Sequence, residues 1–137
     1  AAGAGVVFAL AGATVQRIAQ IYYATTVPTF SWVDDASVGV QHLGVAQTVG
    51  TVQVLTGRKS DTTYTSRVNG VAVGSSVLAL GTTTVNSHSI GAHKATPANF
   101  HKGSIGPVIA IKGTVTDAEM LTLERFVSSL TPSGPVF

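Results

Sequence analysis

The fold prediction rests on residues 103–130, which read GSIGPVIAIKGTVTDAEMLTLERFVSSL. The first part of this stretch is rich in β-branched residues, and we predict a buried, central β-strand over 103–112. The apolar residues that favour this strand are Ile105, Val108, Ile109 and Ile111. The second part, from Thr114 to Leu130, predicts the one helix of the chain.

The predicted helix has a clear start signal. Thr116 is followed three residues later by Glu119, the spacing of a capping box, in which each side chain bonds the backbone N–H of the other residue. Asp117 adds negative charge at the positive end of the helix dipole. The apolar side of the helix is predicted from Met120, Leu123, Val127 and Leu130, which places Glu124 on the exterior.

The rest of the chain predicts short strands separated by turns, the pattern of an all-β fold. The sharpest local signal is Asn69-Gly70 between two β-branched runs, which predicts a two-residue hairpin turn because both residues tolerate positive φ. Pro28 is expected to break the chain before a strand, and 58–61 is expected to form a polar turn. The predicted strands are Val6–Leu10, Arg17–Tyr23, Thr29–Val33, Gly50–Gly57, Tyr64–Val68, Val71–Val73 and Val85–His93. We predict one antiparallel β-sandwich domain over residues 1–137, closed by a short C-terminal capped helix.

Composition limits the classes of function. The 137 residues are 45% hydrophobic and only 10% charged, with a mean hydropathy of +0.38. No run approaches the roughly 20 apolar residues of a membrane helix, so we expect no membrane insertion and predict that other copies of the chain cover apolar surface. The eight basic residues are scattered, which argues against nucleic-acid binding. The start, AAGAGVVFAL, indicates a processed chain or the last part of a longer one.

Several of these motifs together resemble one family. Arg67-Val-Asn69-Gly70-Val, Ser89-Ile-Gly91, Phe100 with the strand from Gly103, and the helix start at Thr116 are similar to the concanavalin A-like lectin/glucanase (laminin-G-like) superfamily. The similarity covers Tyr64 to Leu130. It implies a jelly-roll sandwich, with Phe100 packed inside. Modules of this kind close many bacteriophage tail fibres and tailspikes, so the resemblance implies a virion or extracellular location, a homotrimer, and binding of a bacterial surface glycan or another receptor.

Hydrolysis of a glycan needs two carboxylates that face each other across the sugar. Glu119 and Asp117 serve the helix start, and the adjacent Asp34 and Asp35 would point to opposite faces of a strand. We therefore predict a non-catalytic module. A glycan hydrolase that takes acids from adjacent subunits stays open as an alternative, and so does a purely structural role in virion assembly or trimer capping.

Sugar recognition needs aromatic faces and polar groups that bond hydroxyls. Trp32, the only tryptophan, lies close to an acidic pair and is the first candidate, although packing in the core is the more ordinary role for such a residue. The candidate ligand-binding residues are Trp32, Asp34, Asp35, His42, Arg58, Lys59 and Tyr64. Asp34 and Asp35 are also weak calcium candidates, since loop carboxylates suit that ion; no other cofactor is predicted.

Overall fold

A computed structural model describes residues 5–12, 18–48, 50–92, 100–132 and 134–135. These residues form eight strands and one helix. The strands are β1 (Gly5–Ala11), β2 (Ala19–Ala24), β3 (Val27–Val33), β4 (Gly39–Leu43), β5 (Leu55–Ser60), β6 (Thr63–Val68), β7 (Val71–Val77) and β8 (Ser87–Ile90), and the helix is α1 (Asp117–Ser129). The predicted strand ends Arg17 and His93 lie outside the described residues.

The strands form two antiparallel sheets. One has five strands in the order β4-β3-β2-β1-β8, and the other has three in the order β5-β6-β7. Residues on alternate positions of each strand meet between the sheets, where Phe30 and Trp32 of the first sheet pack against Tyr64 and Val68 of the second. The all-β class is therefore confirmed, with an arrangement consistent with a sandwich.

The hairpin between β6 and β7 is confirmed. Asn69 and Gly70 have φ values of 51° and 77°, which is the positive-φ pair that a tight hairpin turn requires. Asn69 also joins the hairpin to the segment before β5, because its side-chain oxygen accepts a hydrogen bond from the N–H of Val54 at 2.8 Å.

The helix is confirmed together with its capping box. The Thr116 side chain accepts from the N–H of Glu119, and the Glu119 carboxylate accepts from the N–H of Thr116 at 2.8 Å. This bonding lowers the pKa of Glu119 below its usual range. The helix lies on the outer side of the three-stranded sheet, since Arg58 and Arg67, which point away from the core, pair with Asp117 and Glu124.

The predicted burial of the helix is wrong for Glu124. This residue is only 2% exposed, whereas Leu130 is 51% exposed. The buried side follows the spacing i, i+4, i+8 through Met120, Glu124 and Ser128. The apolar pattern does not predict this buried side, because Arg67 of the sheet lies beneath it. A carboxylate, that of Glu124, therefore packs there.

The central strand predicted over 103–112 is also wrong. No strand is formed there, and Val108, Ile109 and Ile111 are 39%, 44% and 53% exposed. An apolar run indicates that its residues tend to be buried, but it does not identify the strand or helix against which they pack. Pro107 lacks an amide donor, which argues against a central strand position. Phe100, expected inside, is 54% exposed and forms only an isolated bridge with Val6.

Other boundaries differ in smaller ways. Pro28 lies inside β3, opposite Tyr23, instead of breaking the chain before it. The polar residues Arg58 to Ser60 continue β5, and the turn comes at Asp61, whose φ of 53° is positive. Strand β4 was not predicted. Among the described residues no helix is long and apolar enough to cross a membrane.

Candidate functional site

Three of the predicted site residues meet between the sheets. The Trp32 ring lies 5.4 Å from the Tyr64 ring and 5.5 Å from the His42 ring, measured between centroids. All three are buried, and Tyr64 is fully so. Their aromatic faces pack against other core side chains, so a sugar would reach them only by separating the two sheets.

His42 is held by two hydroxyl groups. Its Nδ1 is 2.8 Å from Oγ of Ser66, and its Nε2 is 2.9 Å from Oγ of Ser76. Gly74 makes room for the ring, since a Cβ at this position would lie 2.5 Å from Cγ of His42. Burial lowers the pKa of His42, which favours the neutral imidazole.

The serine–histidine–serine chain has the connectivity of a nucleophile and its base. Its position argues for a structural role. Ser66 is completely buried, and the hydroxyls and the imidazole satisfy one another between β4, β6 and β7. Buried polar groups that bond each other in this way fix the pairing of the elements that carry them.

Tyr64 places a hydroxyl in the interior. The Tyr64 oxygen has no hydrogen-bond partner among the described residues. Burial raises the pKa of Tyr64 above its usual range, and the negative charges of Asp34 and Asp61 raise it further. Tyr64 therefore stays neutral, with its ring in the core.

Asp34 organises the loop after β3. One carboxylate oxygen accepts from the N–H groups of Ala36 and Val38, both at 2.9 Å, and the other accepts from the N–H of Gly81 at 2.9 Å. The bonds from Gly81 and Val38 are the main cause of the lowered pKa of Asp34. The carboxylate thus joins the loop after β3 to the chain after β7.

Asp35 makes a second connection between the same two segments. Its carboxylate accepts from the hydroxyl of Thr84 at 3.0 Å, and its backbone N–H donates to the carbonyl oxygen of Thr82 at 2.9 Å. The described residues contain no cluster of three or more acidic, histidine or cysteine side chains that could hold a metal ion. Calcium at Asp34 and Asp35 stays a prediction.

Arg58 and Lys59 are neighbours on β5 but point to opposite sides of the sheet. Arg58 bonds the start of the helix, with a 2.7 Å contact to Asp117 and a 3.0 Å hydrogen bond to the carbonyl oxygen of Val115. Lys59 is exposed, and its ammonium group lies 6.0 Å from the centre of the Tyr64 ring. Of the seven predicted residues, Lys59 is the one left most open to a ligand.

The surface of the described chain is unusually apolar. Thirteen large hydrophobic residues are exposed there, whereas only 10% of the residues in the sequence are charged. The exposed hydrophobic residues are Val38, Leu43, Val45, Val71, Val77, Val85, Ile90, Phe100, Val108, Ile109, Ile111, Phe126 and Leu130. Scattered apolar residues are normal on a protein surface, but continuous stretches mark interaction sites. Three of these residues fall within 108–111.

A scan against protein-family models, a search of curated proteins and a search of solved structures each found no match.

Proposed function

We propose that this chain is a non-catalytic structural module that assembles with copies of itself. The exposed apolar surface is the observation that supports the proposal. The chain has 10% charged residues, and thirteen large hydrophobic residues are exposed in its described part. It gains free energy when those residues leave water, at about 25 cal/mol per Å² of apolar surface.

The contacts of the predicted binding residues also support an architectural role. Trp32 and Tyr64 fill the core, Asp34 and Asp35 tie two loops together, and Arg58 holds the helix. The resemblance to laminin-G-like modules supports a more specific proposal, in which the chain is an assembly or capping domain of a virion fibre. Three copies and the jelly-roll order of strands are further predictions.

Fluorescence transfer between differently labelled copies tests the proposal. Two batches of the chain carry a donor or an acceptor dye on the N-terminal amine and are mixed at micromolar concentration. We expect energy transfer that falls on dilution, with no change when inert carrier protein is added. Absence of transfer in a folded sample would refute self-assembly.

Binding of a glycan or another receptor is the second candidate. It is favoured by the exposed Lys59, whose ammonium group stands beside the Tyr64 ring at one edge of the sandwich. A glycan array probed with the wild-type chain and with Lys59→Ala tests it. Loss of a signal in the variant supports a receptor-binding role. If a folded, assembled chain binds no glycan on the array, only the structural role remains supported.

A further inference from the structure

Residues 103–112 have the sequence of a β-strand but no strand partner in the described chain. Nine residues lie between Lys102 and Lys112, and none of them is charged. Val108, Ile109 and Ile111 are exposed, although their β-branched side chains favour a pleated, half-buried surface. We refer to residues 103–112 as the unpaired segment.

The two sheets of the described residues have four edge strands that could accept a further strand, and three of them are obstructed. Strand β5 carries Arg58 and Lys59, and charged side chains on an edge discourage strand addition. Strands β4 and β7 meet at one side of the sandwich, where Nε2 of His42 contacts Oγ of Ser76. Strand β8 remains: it has no charged residue, exposes Ile90, and pairs with β1 alone among the strands of the described residues.

The side of the sandwich that carries β8 lies apart from the cluster of Phe30, Trp32, Tyr64 and Val68. That cluster includes no residue of β1 or β8, although Val6, Ala9 and Ala11 of β1 are themselves buried. A strand added beside β8 would extend the five-stranded sheet and cover the exposed side chain of Ile90.

The unpaired segment starts on this same side. Ile105 lies beside Gly91, directly after β8, and the N–H of His101 donates to the carbonyl oxygen of Gly91 at 2.9 Å. Its far end leads to Val115, which is bonded to Arg58 on β5. The segment thus runs from the end of β8 to the residues before the helix, with Val108, Ile109 and Ile111 exposed to a second molecule.

We propose that residues 103–112 of one copy pair as a β-strand with β8 in a second copy, along the edge of β8 that has no strand partner among the described residues. The chain carries both halves of this interface, and neither is charged apart from Lys112 at the end of the segment, so no partner of complementary charge is needed. Pro107 fits the position, since proline is tolerated on an edge strand whose outer side faces water. The inference rests on the proposed self-assembly and identifies its interface.

Cross-linking between copies tests the pairing directly. The chain has no cysteine, so single introduced thiols give no background. A mixture of His88→Cys and Ala110→Cys proteins, treated with a short bismaleimide, is expected to give a cross-linked product of twice the chain mass. The control mixture pairs His88→Cys with Ala118→Cys, which is exposed on the helix, and should give little product.

A lysine at the centre of the segment provides the second measurement. Ile109→Lys should weaken self-association at least about tenfold, because it places a charge in the paired strand. Val77→Lys is the matched control at an equally apolar, more exposed site on β7, and it should change association little. Circular dichroism confirms that each variant is folded.

The outcomes separate the two proposals. Energy transfer between copies without the His88–Ala110 cross-link, or equal effects of the two lysine variants, would overturn the strand pairing and leave self-assembly standing. No energy transfer at all would overturn both.

Discussion

Arg67 and Glu124 form an ion pair between the three-stranded sheet and the helix. The Arg67 Nε and the Glu124 Oε1 are 3.1 Å apart, and the two side chains are 16% and 2% exposed. Neither atom makes a well-aligned hydrogen bond, and Glu124 Oε2 has no partner among the described residues. A buried ion pair stabilises the fold little more than well-packed apolar residues would. Removal of one partner, however, strongly destabilises the fold, because the other charge stays buried without a counter-charge.

Glu124→Gln should therefore destabilise the fold by roughly 3 kcal/mol, because the Arg67 charge loses its counter-charge beneath the helix. Urea unfolding followed by circular dichroism measures the change. The double variant Arg67→Met with Glu124→Leu should recover most of the loss. Asp117→Asn is the control, since its exposed pair with Arg58 is worth less than about 1 kcal/mol. Equal losses for Glu124→Gln and Asp117→Asn would contradict the buried role of the Arg67–Glu124 pair.

The capping box should contribute measurably to the helix. Thr116→Ala removes the side chain that accepts from the N–H of Glu119 and should cost about 1 kcal/mol. Thr122→Ala is a matched control in the same helix, because its hydroxyl only bonds the carbonyl oxygen of Ala118 and alanine favours the helix. Thermal unfolding compares the two variants. A Thr116→Ala variant as stable as Thr122→Ala would show that the cap adds nothing.

Acid should weaken the fold through His42. Its folded pKa lies below its unfolded value, so between the two values the unfolded chain binds more protons and stability falls as the pH drops. The full contribution is present above the ordinary histidine pKa of about 6.5. The urea midpoint of the wild type should therefore fall more steeply between about pH 7.5 and about pH 5.5 than that of His42→Gln. Parallel curves for the two proteins would rule out His42 as the group responsible.

The hairpin turn should depend on Gly70. Its φ of 77° suits glycine, and Gly70→Ala should cost roughly 1 kcal/mol. Gly106→Ala is the control, since a Cβ there would make only an ordinary 3.7 Å contact with Thr131. Urea midpoints of the two variants give the comparison. A larger loss at Gly106 than at Gly70 would contradict the turn geometry.

Local signals in the sequence predicted the local structure well. The Asn69-Gly70 turn and the Thr116–Glu119 cap depend on neighbouring residues, and both are confirmed. The burial of Glu124 was missed because it depends on Arg67, 57 positions away and on another element. The strand predicted over 103–112 is wrong for the same reason. Its composition favours a buried strand, but whether a neighbouring strand is available to pair with it depends on the rest of the fold.

The candidate site shows the same limit. Trp32, His42 and Tyr64 were chosen for the chemistry of their side chains, and the structure brings them together as core. Ser66 and Ser76 carried no sequence signal of their own. The alternation of Tyr64, Ser66 and Val68 along β6 predicts that Ser66 lies on the inner face of the sheet. Its contact with His42 depends in addition on how the strands pair, which the sequence does not specify.

The mass of the chain in solution tests the central claim most directly. Sedimentation equilibrium of the purified chain at micromolar concentration should give the mass of two or more chains of 13.9 kDa, because other copies cover the exposed apolar residues. A folded species of 13.9 kDa that persists at about 100 μM would contradict self-assembly, since it would imply an affinity too weak to hold the copies together.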